Sequence, residues 1–370
     1  MVEMMNISII GIGKLGLCFA LTLEKAGYHI LGLDINEKYV NLINNKKFLS
    51  QEPSVNEYLN KSKNFKATTN FKEIIEFSDV LFVVVATPSL PNGEYNHAQI
   101  DKVVEQLISN GKLEKRKDLI ICCTTMPEYC DSVQQKLQKY GYVVSYNPEF
   151  IAQGTILKNQ EKPDIVLIGE GDKLAGDILE KIYKKHTSNN PSICRMSKTE
   201  AEICKISLNC FLTTKIAFAN MVGDIAINSG YNPEKILLAI GSDTRIGSKY
   251  INHGYGYGGP CFPRDNRALA IYANKKGIDA LISKASDKSN KLHLDYQVEN
   301  FIKNNPVNKQ VIIESVTYKP DSTILEESQQ LLFVYKLAKK GYSVLIKERN
   351  SVINELKEKY GDIFIYESRD

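Results

Sequence analysis

The sequence predicts an α/β fold, and three observations carry that reading. Residues 6–34 run strand, glycine turn, helix, strand; short apolar strand patterns then alternate with charged helical stretches; and one long proline-free helical stretch extends from Lys198 to Gly230. The chain has 370 residues, which allows two to three domains of roughly 100 to 200 residues each. With 43% hydrophobic and 24% charged residues it can bury several cores.

The elements follow in order. NISII, GIGKLG, LCFALTLEKAGY and HILGLD read as strand, turn, helix and strand, a βαβ unit. Buried-strand runs at DVLFVVVATP, DLIICCTT and YVVSYNPEF continue the rhythm of a doubly wound parallel sheet, giving a first, Rossmann-like domain over residues 1–195. The helix from Lys198 to Gly230 would span on the order of 45 to 50 Å, suited to a domain connector or a dimer core. With the glycine-rich loop at 254–259 and a helix from Pro263, it defines a helical middle domain over 196–300. QVIIESVTY, SQQLLFVYKLAKKGY, YSVLIKE and FIYES form a second α/β set over 301–370. Two Rossmann-like parallel-sheet domains joined by a long central helix and a helical middle domain are therefore expected.

Charge and composition narrow the function. The net charge of +4 is weak and evenly spread, which argues against nucleic acid or an acidic membrane surface as partner and leaves room for a small anionic substrate. The longest apolar run, Asp79 to Pro88, falls far short of the roughly 18 residues that cross a bilayer. The opening MVEMMNISIIGIG has no basic leader segment, so a cytoplasmic protein without a membrane partner is expected. The eight cysteines show no CxxC, and the five histidines, scattered from His29 to His293, show no HxxxH or HExxH; neither disulfides nor a metal site are expected.

Three groups of residues carry chemistry. Gly11, Gly13 and Gly16 form GxGxxG between a strand and a helix, and Asp34 ends the next strand. The glycines permit a tight turn and close approach of a pyrophosphate to the helix N-terminus, and the acid accepts hydrogen bonds from an adenine ribose; a 2′-phosphate would face that carboxylate, which favours NAD over NADP. The alternative is a structural turn. Cys261 follows four glycines and precedes a helix start at Pro263, where helix N-termini favour the thiolate. Asp265 lies four residues on. A nucleophile with a nearby carboxylate is one reading; an inert cysteine and a helix-end charge are the other. Lys205 and Asn209 share a helix face with Thr213 below them, either a pair that stabilises an oxyanion or a solvated surface patch.

Taken together, GIGKLG, Asp34, ATPS at 86–89, TTMP at 124–127, NPEF at 147–150, KTEAEICKISLNCFLTTKIAFAN, DTRIGSKYINHGYGYGGPCFPRD and TYKPD resemble the UDP-glucose/GDP-mannose dehydrogenase family, closest to its UDP-glucose 6-dehydrogenase branch. The resemblance spans nearly the whole chain. It implies an N-terminal NAD-binding domain, a central domain dimerising through the 198–230 helix, and a C-terminal domain, short for the family, that helps bind a nucleotide sugar. It implies Cys261 as nucleophile, Lys205 and Asn209 at the developing oxyanion, Asp265 and Thr125 positioning or activating water, and Glu149 assisting hydrolysis. NAD would be lined by Gly11, Ile12, Gly13, Gly16, Asp34, Lys38, Thr87 and Thr125. The nucleotide sugar would meet Glu149, Phe150, Ile151, Lys205, Asn209, Tyr250, Asn252, Gly258 and Lys319, with Arg245 reaching it across the dimer.

The implied reaction is four-electron oxidation of a nucleotide sugar, UDP-glucose to UDP-glucuronate, through a thiohemiacetal and a thioester on Cys261. Another UDP- or GDP-sugar, a single-step hydroxyacid dehydrogenase and a non-catalytic nucleotide-sugar sensor are the alternatives. The chain departs from the family pattern at Ala152, at Met221 and at Glu326, where an arginine is usual.

Overall fold

The computed structural model describes residues 5–151, 154–320 and 322–370, so Ala152 lies outside the described residues. Residues 1–205 and 206–370 form two compact units.

The first unit runs β1 (Asn6–Ile10), α1 (Lys14–Lys25), β2 (His29–Leu33), α2 (Glu37–Asn44), α3 (Val55–Lys61), β3 (Phe65–Thr68), α4 (Phe71–Phe77), β4 (Val80–Val83) and α5 (Ala98–Ser109). It continues with β5 (Lys117–Ile121), α6 (Tyr129–Leu137), β6 (Tyr142–Tyr146), α7 (Ile156–Glu161), β7 (Ile165–Glu170), α8 (Lys173–His186), β8 (Ser192–Ser197) and the first turns of α9 (Lys198–Asn228). The strands form one sheet in the order β3-β2-β1-β4-β5-β6-β7-β8. Along β4, Val80 and Phe82 enter one core while Leu81 and Val83 enter the other, on the opposite face. Burial on both faces is why the strands read as continuous apolar runs rather than alternating ones.

The sheet departs from the expected all-parallel form at one pairing. β6 and β7 are antiparallel, meeting at Tyr146 and Gly169. Among the described residues the only helix between them, α7, has six residues, and β7 starts from the end of the sheet where β6 stops. A parallel return needs a crossover long enough to carry the chain back along the sheet.

The second unit contains the rest of α9, then α10 (Pro233–Ser242), α11 (Phe262–Lys275), α12 (Leu281–Asn304), β9 (Val311–Ile313), α13 (Gln329–Lys339), β10 (Val344–Glu348), α14 (Asn350–Tyr360) and β11 (Ile365–Ser368). The three strands form a parallel sheet in the order β11-β10-β9. Its core joins Leu294 and Val298 of α12 to Leu331, Val334 and Leu337 of α13 and to Val344 and Ile346 of β10. The strand expected across QVIIESVTY is only three residues long, because the chain beyond Ile313 turns away to form the segment that meets the glycine-rich loop.

By length and composition alone, α9 is apolar enough to cross a membrane, a property that uninterrupted apolar runs do not reveal. Its inward face is nonetheless polar. Glu202, Lys205, Asn209, Thr213 and Asn220 are all buried, at spacings of three, four, four and seven residues that keep them on one side of the helix. Each is hydrogen-bonded within its own unit.

Candidate active site

In the first unit the glycine turn is built by close approach of backbone. Gly11 has φ +94°, and a Cβ there would lie 2.4 Å from the Val84 carbonyl oxygen. At Gly16 a Cβ would lie 2.0 Å from the Gly11 carbonyl oxygen, so the third glycine lets α1 pack on the turn. Gly13 differs. It caps α1, and nothing lies within 4 Å of the position its Cβ would take. That open side above a helix N-terminus fits the pyrophosphate of a dinucleotide.

Ile12 is wholly buried and presents only backbone; its carbonyl accepts from the Tyr39 hydroxyl at 2.7 Å. Asp34 follows β2 half-buried, with Oδ1 accepting the Asn36 N–H at 2.9 Å, and Lys38 stands exposed on α2. Thr87 donates to the Thr124 carbonyl at 2.9 Å, tying the ends of β4 and β5 together.

Thr125 is fully buried, and its hydroxyl donates to Glu202 Oε1 at 2.8 Å. The same carboxylate accepts the N–H groups of Glu128 at 2.7 Å and Cys130 at 2.9 Å, anchoring the TTMP turn and the start of α6. The NPEF segment is fixed by Asn147, which donates to the Leu167 carbonyl at 2.8 Å and accepts from the Tyr183 hydroxyl at 2.6 Å. Beyond it, Lys205 Nζ donates to the Glu149 carbonyl at 2.8 Å and lies 4.2 Å from the centre of the Phe150 ring. Burial raises the Glu149 carboxyl to about 7, and the Lys205 charge pulls the other way. Ile151 is half-buried and packs on the core beside α1.

In the second unit Cys261 is exposed at the N-cap of α11, with Pro263 in the first helical turn. The Asp265 N–H donates to the Cys261 carbonyl at 2.9 Å, and the buried Asp265 carboxylate accepts from Asn209 Nδ2 at 2.7 Å. Thr213, one turn beyond Asn209, bonds Asn266. The glycine-rich loop is pinned from several sides. Asn220 Oδ1 accepts the Gly254 N–H at 3.0 Å, Asn290 bonds both the N–H and the carbonyl of Tyr257 at 2.9 Å, and the Glu326 carbonyl accepts the Gly259 N–H at 3.0 Å. A Cβ on Gly258 would lie 2.2 Å from the Glu327 carbonyl oxygen. The departure at Glu326 thus falls in the segment that supports this loop.

Other substrate-side candidates are more open. Tyr250 has φ +66° and sits edge-on to Phe262, with ring centres 6.3 Å apart. Asn252 is exposed, as is Arg245, whose guanidinium pairs with Asp243 at 2.7 Å. Lys319 lies 5.7 Å from the Tyr318 ring, against which Gly259 packs. Met221 is exposed on α9.

Glu202, Asn147, Asn220 and Asn290 hold these loops through their side chains, a role that no motif in the sequence assigns to them. One signal was available: Glu202 continues the Lys205, Asn209, Thr213 stripe three residues upstream.

Fold and site together define an oxidoreductase that binds NAD through a Rossmann domain. Residues 5–187 match the NAD binding domain, and residues 199–292 the central domain, of the UDP-glucose/GDP-mannose dehydrogenase family. The chain belongs to that family. It is 28% identical to a UDP-glucose 6-dehydrogenase of Rickettsia bellii, over 98% of this chain and 85% of that one. It is 28% identical to a GDP-mannose 6-dehydrogenase of Pseudomonas aeruginosa, over 94% and 81%. The solved structure of a UDP-glucose dehydrogenase from the archaeon Pyrobaculum islandicum matches with a TM-score of 0.88 at 26% identity, covering 99% of this chain and 86% of that one.

Replacing Asp34 by Asn tests the cofactor site. Loss of a charged acceptor worth about 1.5 kcal/mol should weaken NAD about tenfold and narrow the gap to NADP. Isothermal titration with both cofactors measures this, and unchanged affinities would remove Asp34 from the ribose site.

Proposed function

We propose that the protein oxidises UDP-glucose to UDP-glucuronate, taking the sugar C6 alcohol to a carboxylate with two NAD reduced per sugar. What carries this reading is the exposed Cys261 at the head of α11, with the buried Asp265 one turn on held by Asn209. A dehydrogenase that stops at one oxidation has no need of that thiol. UDP-glucose is preferred over GDP-mannose because the motifs resemble the UDP-glucose branch.

Bound NAD accepts a hydride in each of two oxidations. The chain's own groups do the rest. After the first oxidation the Cys261 sulfur adds to the C6 aldehyde as a thiohemiacetal, with Lys205 and Asn209, one turn apart on α9, donating to the oxygen that gains charge. The second oxidation makes a thioester. Water, positioned by Asp265 and Thr125 and deprotonated with help from Glu149, attacks the acyl carbon; the thiolate leaves and the acid is released. The sum is sugar, two NAD⁺ and one water giving uronate, two NADH and three protons. Arg245, Tyr250, Asn252 and Lys319 are assigned to the nucleotide sugar.

Incubation with UDP-glucose and NAD, read by mass spectrometry and NADH yield, should give the uronate and two NADH per sugar. Cys261→Ser should stop acid formation, because an alkoxide is a poor acyl leaving group. One NADH per sugar, or uronate from the serine variant, contradicts the covalent relay; turnover only with a GDP- or N-acetylhexosamine sugar reassigns the substrate.

Glu149 gives the pH dependence. With its carboxyl raised to about 7, the basic form that assists hydrolysis accumulates above that pH, so kcat should rise between about pH 6 and 8. Stability moves oppositely: the folded state holds the proton that the unfolded state has lost between the ordinary carboxyl value of 4.5 and about 7, so it weakens as pH rises through that window. Glu149→Gln should flatten both profiles, and an unaltered kcat inflection would show that another group titrates.

The protein is further proposed to form a homodimer through α9. Phe211, Phe218 and Ile225 recur every seven residues, are 46% to 66% exposed and make one apolar stripe. Sedimentation should find a dimer that Phe211→Lys with Ile225→Lys converts to monomer; a wild-type monomer rejects the interface.

A further inference from the structure

Asp224, His253 and His293 form a partly buried cluster, with His293 its buried member, that the reaction above does not use. They are widely separated in sequence and come from α9, the loop after Tyr250, and α12. His293 Nδ1 lies 2.7 Å from Asp224 Oδ2, and its Nε2 lies 2.6 Å from the Gly254 carbonyl oxygen. His253 Nε2 lies 3.0 Å from the other Asp224 oxygen. The His253 ring occupies space that only glycine at 223 leaves: a Cβ there would fall 2.0 Å from His253 Cδ2.

Donor and acceptor counting decides the state of His293. A neutral imidazole has one N–H and one lone pair. Here both ring nitrogens face oxygen acceptors, a backbone carbonyl and a carboxylate, and the His293 side chain is 2% exposed, so water does not supply the missing donor. Burial opposes the Asp224 carboxylate, but hydrogen bonds from His253 and His293 outweigh it and hold the group below the ordinary carboxylate range, so Asp224 is ionised and accepts. Protons on both His293 nitrogens satisfy every partner. The titratable groups facing the ring are Asp224 from α9 and His253 from the loop, and Tyr296 of α12 faces Asp224 in turn. The three side chains offer ligand atoms within 4.8 Å of one another, yet each Asp224 oxygen is already engaged by a ring at hydrogen-bond distance. Proton sharing therefore accounts for the cluster without a cation.

We propose that His293, doubly protonated and paired with Asp224, is a positioning residue that clamps Gly254 and with it the loop that presents Cys261. The clamp acts at the loop's first residue, where Gln297 Nε2 also donates to the Gly254 carbonyl at 3.1 Å and Asn220 accepts the Gly254 N–H. Six residues separate that anchor from Cys261. Replacing the His293 ring removes the donor to the Gly254 carbonyl and the bridge to Asp224 together, so the loop loosens.

This inference rests on the Cys261 reading only for its effect on turnover, and the experiment separates the two. In protein labelled with ¹⁵N in the histidine rings, and assigned with His293→Gln, the His293 ring should show both nitrogens protonated at neutral pH, a pattern lost in Asp224→Asn. Hydrogen–deuterium exchange of the 251–262 segment should quicken in His293→Gln. In that variant kcat should fall 10- to 100-fold with KM for NAD unchanged, the scale of a slightly misplaced reacting group. A single neutral tautomer in the wild type, loop exchange indifferent to His293, or a stoichiometric metal in the purified protein that is lost in His293→Gln would each overturn the clamp. If no nucleotide sugar is oxidised but the ring is doubly protonated and the loop depends on it, the clamp stands and the proposed reaction falls.

Discussion

The constraint on which the site depends is the burial of polar side chains along one face of α9. A buried donor or acceptor left without a partner costs about 1 to 3 kcal/mol, so Glu202, Lys205, Asn209, Thr213 and Asn220 each demand a partner in a fixed place. Those partners are the TTMP turn, the NPEF segment, Asp265, Asn266 and the first glycine of the loop before Cys261. The contacts that make the helix tolerable inside the protein are the same ones that fix the TTMP and NPEF segments, Asp265 and Gly254. Met221, on the exposed side of this helix, lies outside that set of requirements.

Two glycine-rich segments serve this arrangement for different physical reasons. In GIGKLG the first and third glycines let backbone approach backbone, and the second leaves an open side at a helix N-terminus. In the 254–259 loop the missing side chains make room for protein. A Cβ on Gly256 would meet Asn290, one on Gly258 the Glu327 carbonyl, and one on Gly259 the Tyr318 ring. The second loop is thus a tightly backed support for Cys261 rather than a phosphate cradle like the first. Its backing comes from the segment holding Glu326, whose main chain accepts the Gly259 N–H.

What the sequence made legible follows from the range of the interactions involved. β1, β2, β4, β5 and β6 stood out because burial leaves apolar runs, and the α1 and α9 patterns because helical periodicity is local; β3, β7 and β8 did not stand out, β3 alternating buried and exposed residues and β8 being half-exposed. The antiparallel β6–β7 pair and the three-residue β9 were not legible, since both depend on where the chain goes after the strand. Gly11, Asp34, Cys261 and Lys205 stand out as candidates because motif spacing or resemblance marks them. Glu202, 77 residues from Thr125, and His293, 69 residues from Asp224, acquire their partners only in the folded chain. The histidines gave no local pattern at all, yet two of the five share one carboxylate.

The charge around Lys205 shows why that lysine suits anion stabilisation better than an ordinary ion pair would. Its ammonium is seated on a backbone carbonyl and an aromatic face, both of which hold a cation without cancelling its charge. The neighbouring carboxylate of Glu149, penalised by burial, keeps its proton up to about pH 7. While Glu149 is protonated, the pair carries net positive charge, the condition that favours oxyanions on the substrate. Once Glu149 ionises the pair is neutral as a whole, and the carboxylate can take a proton from water. In the proposed reaction the same few ångströms would in this way serve both the oxidations, which gather negative charge on oxygen, and the hydrolysis, which needs a base.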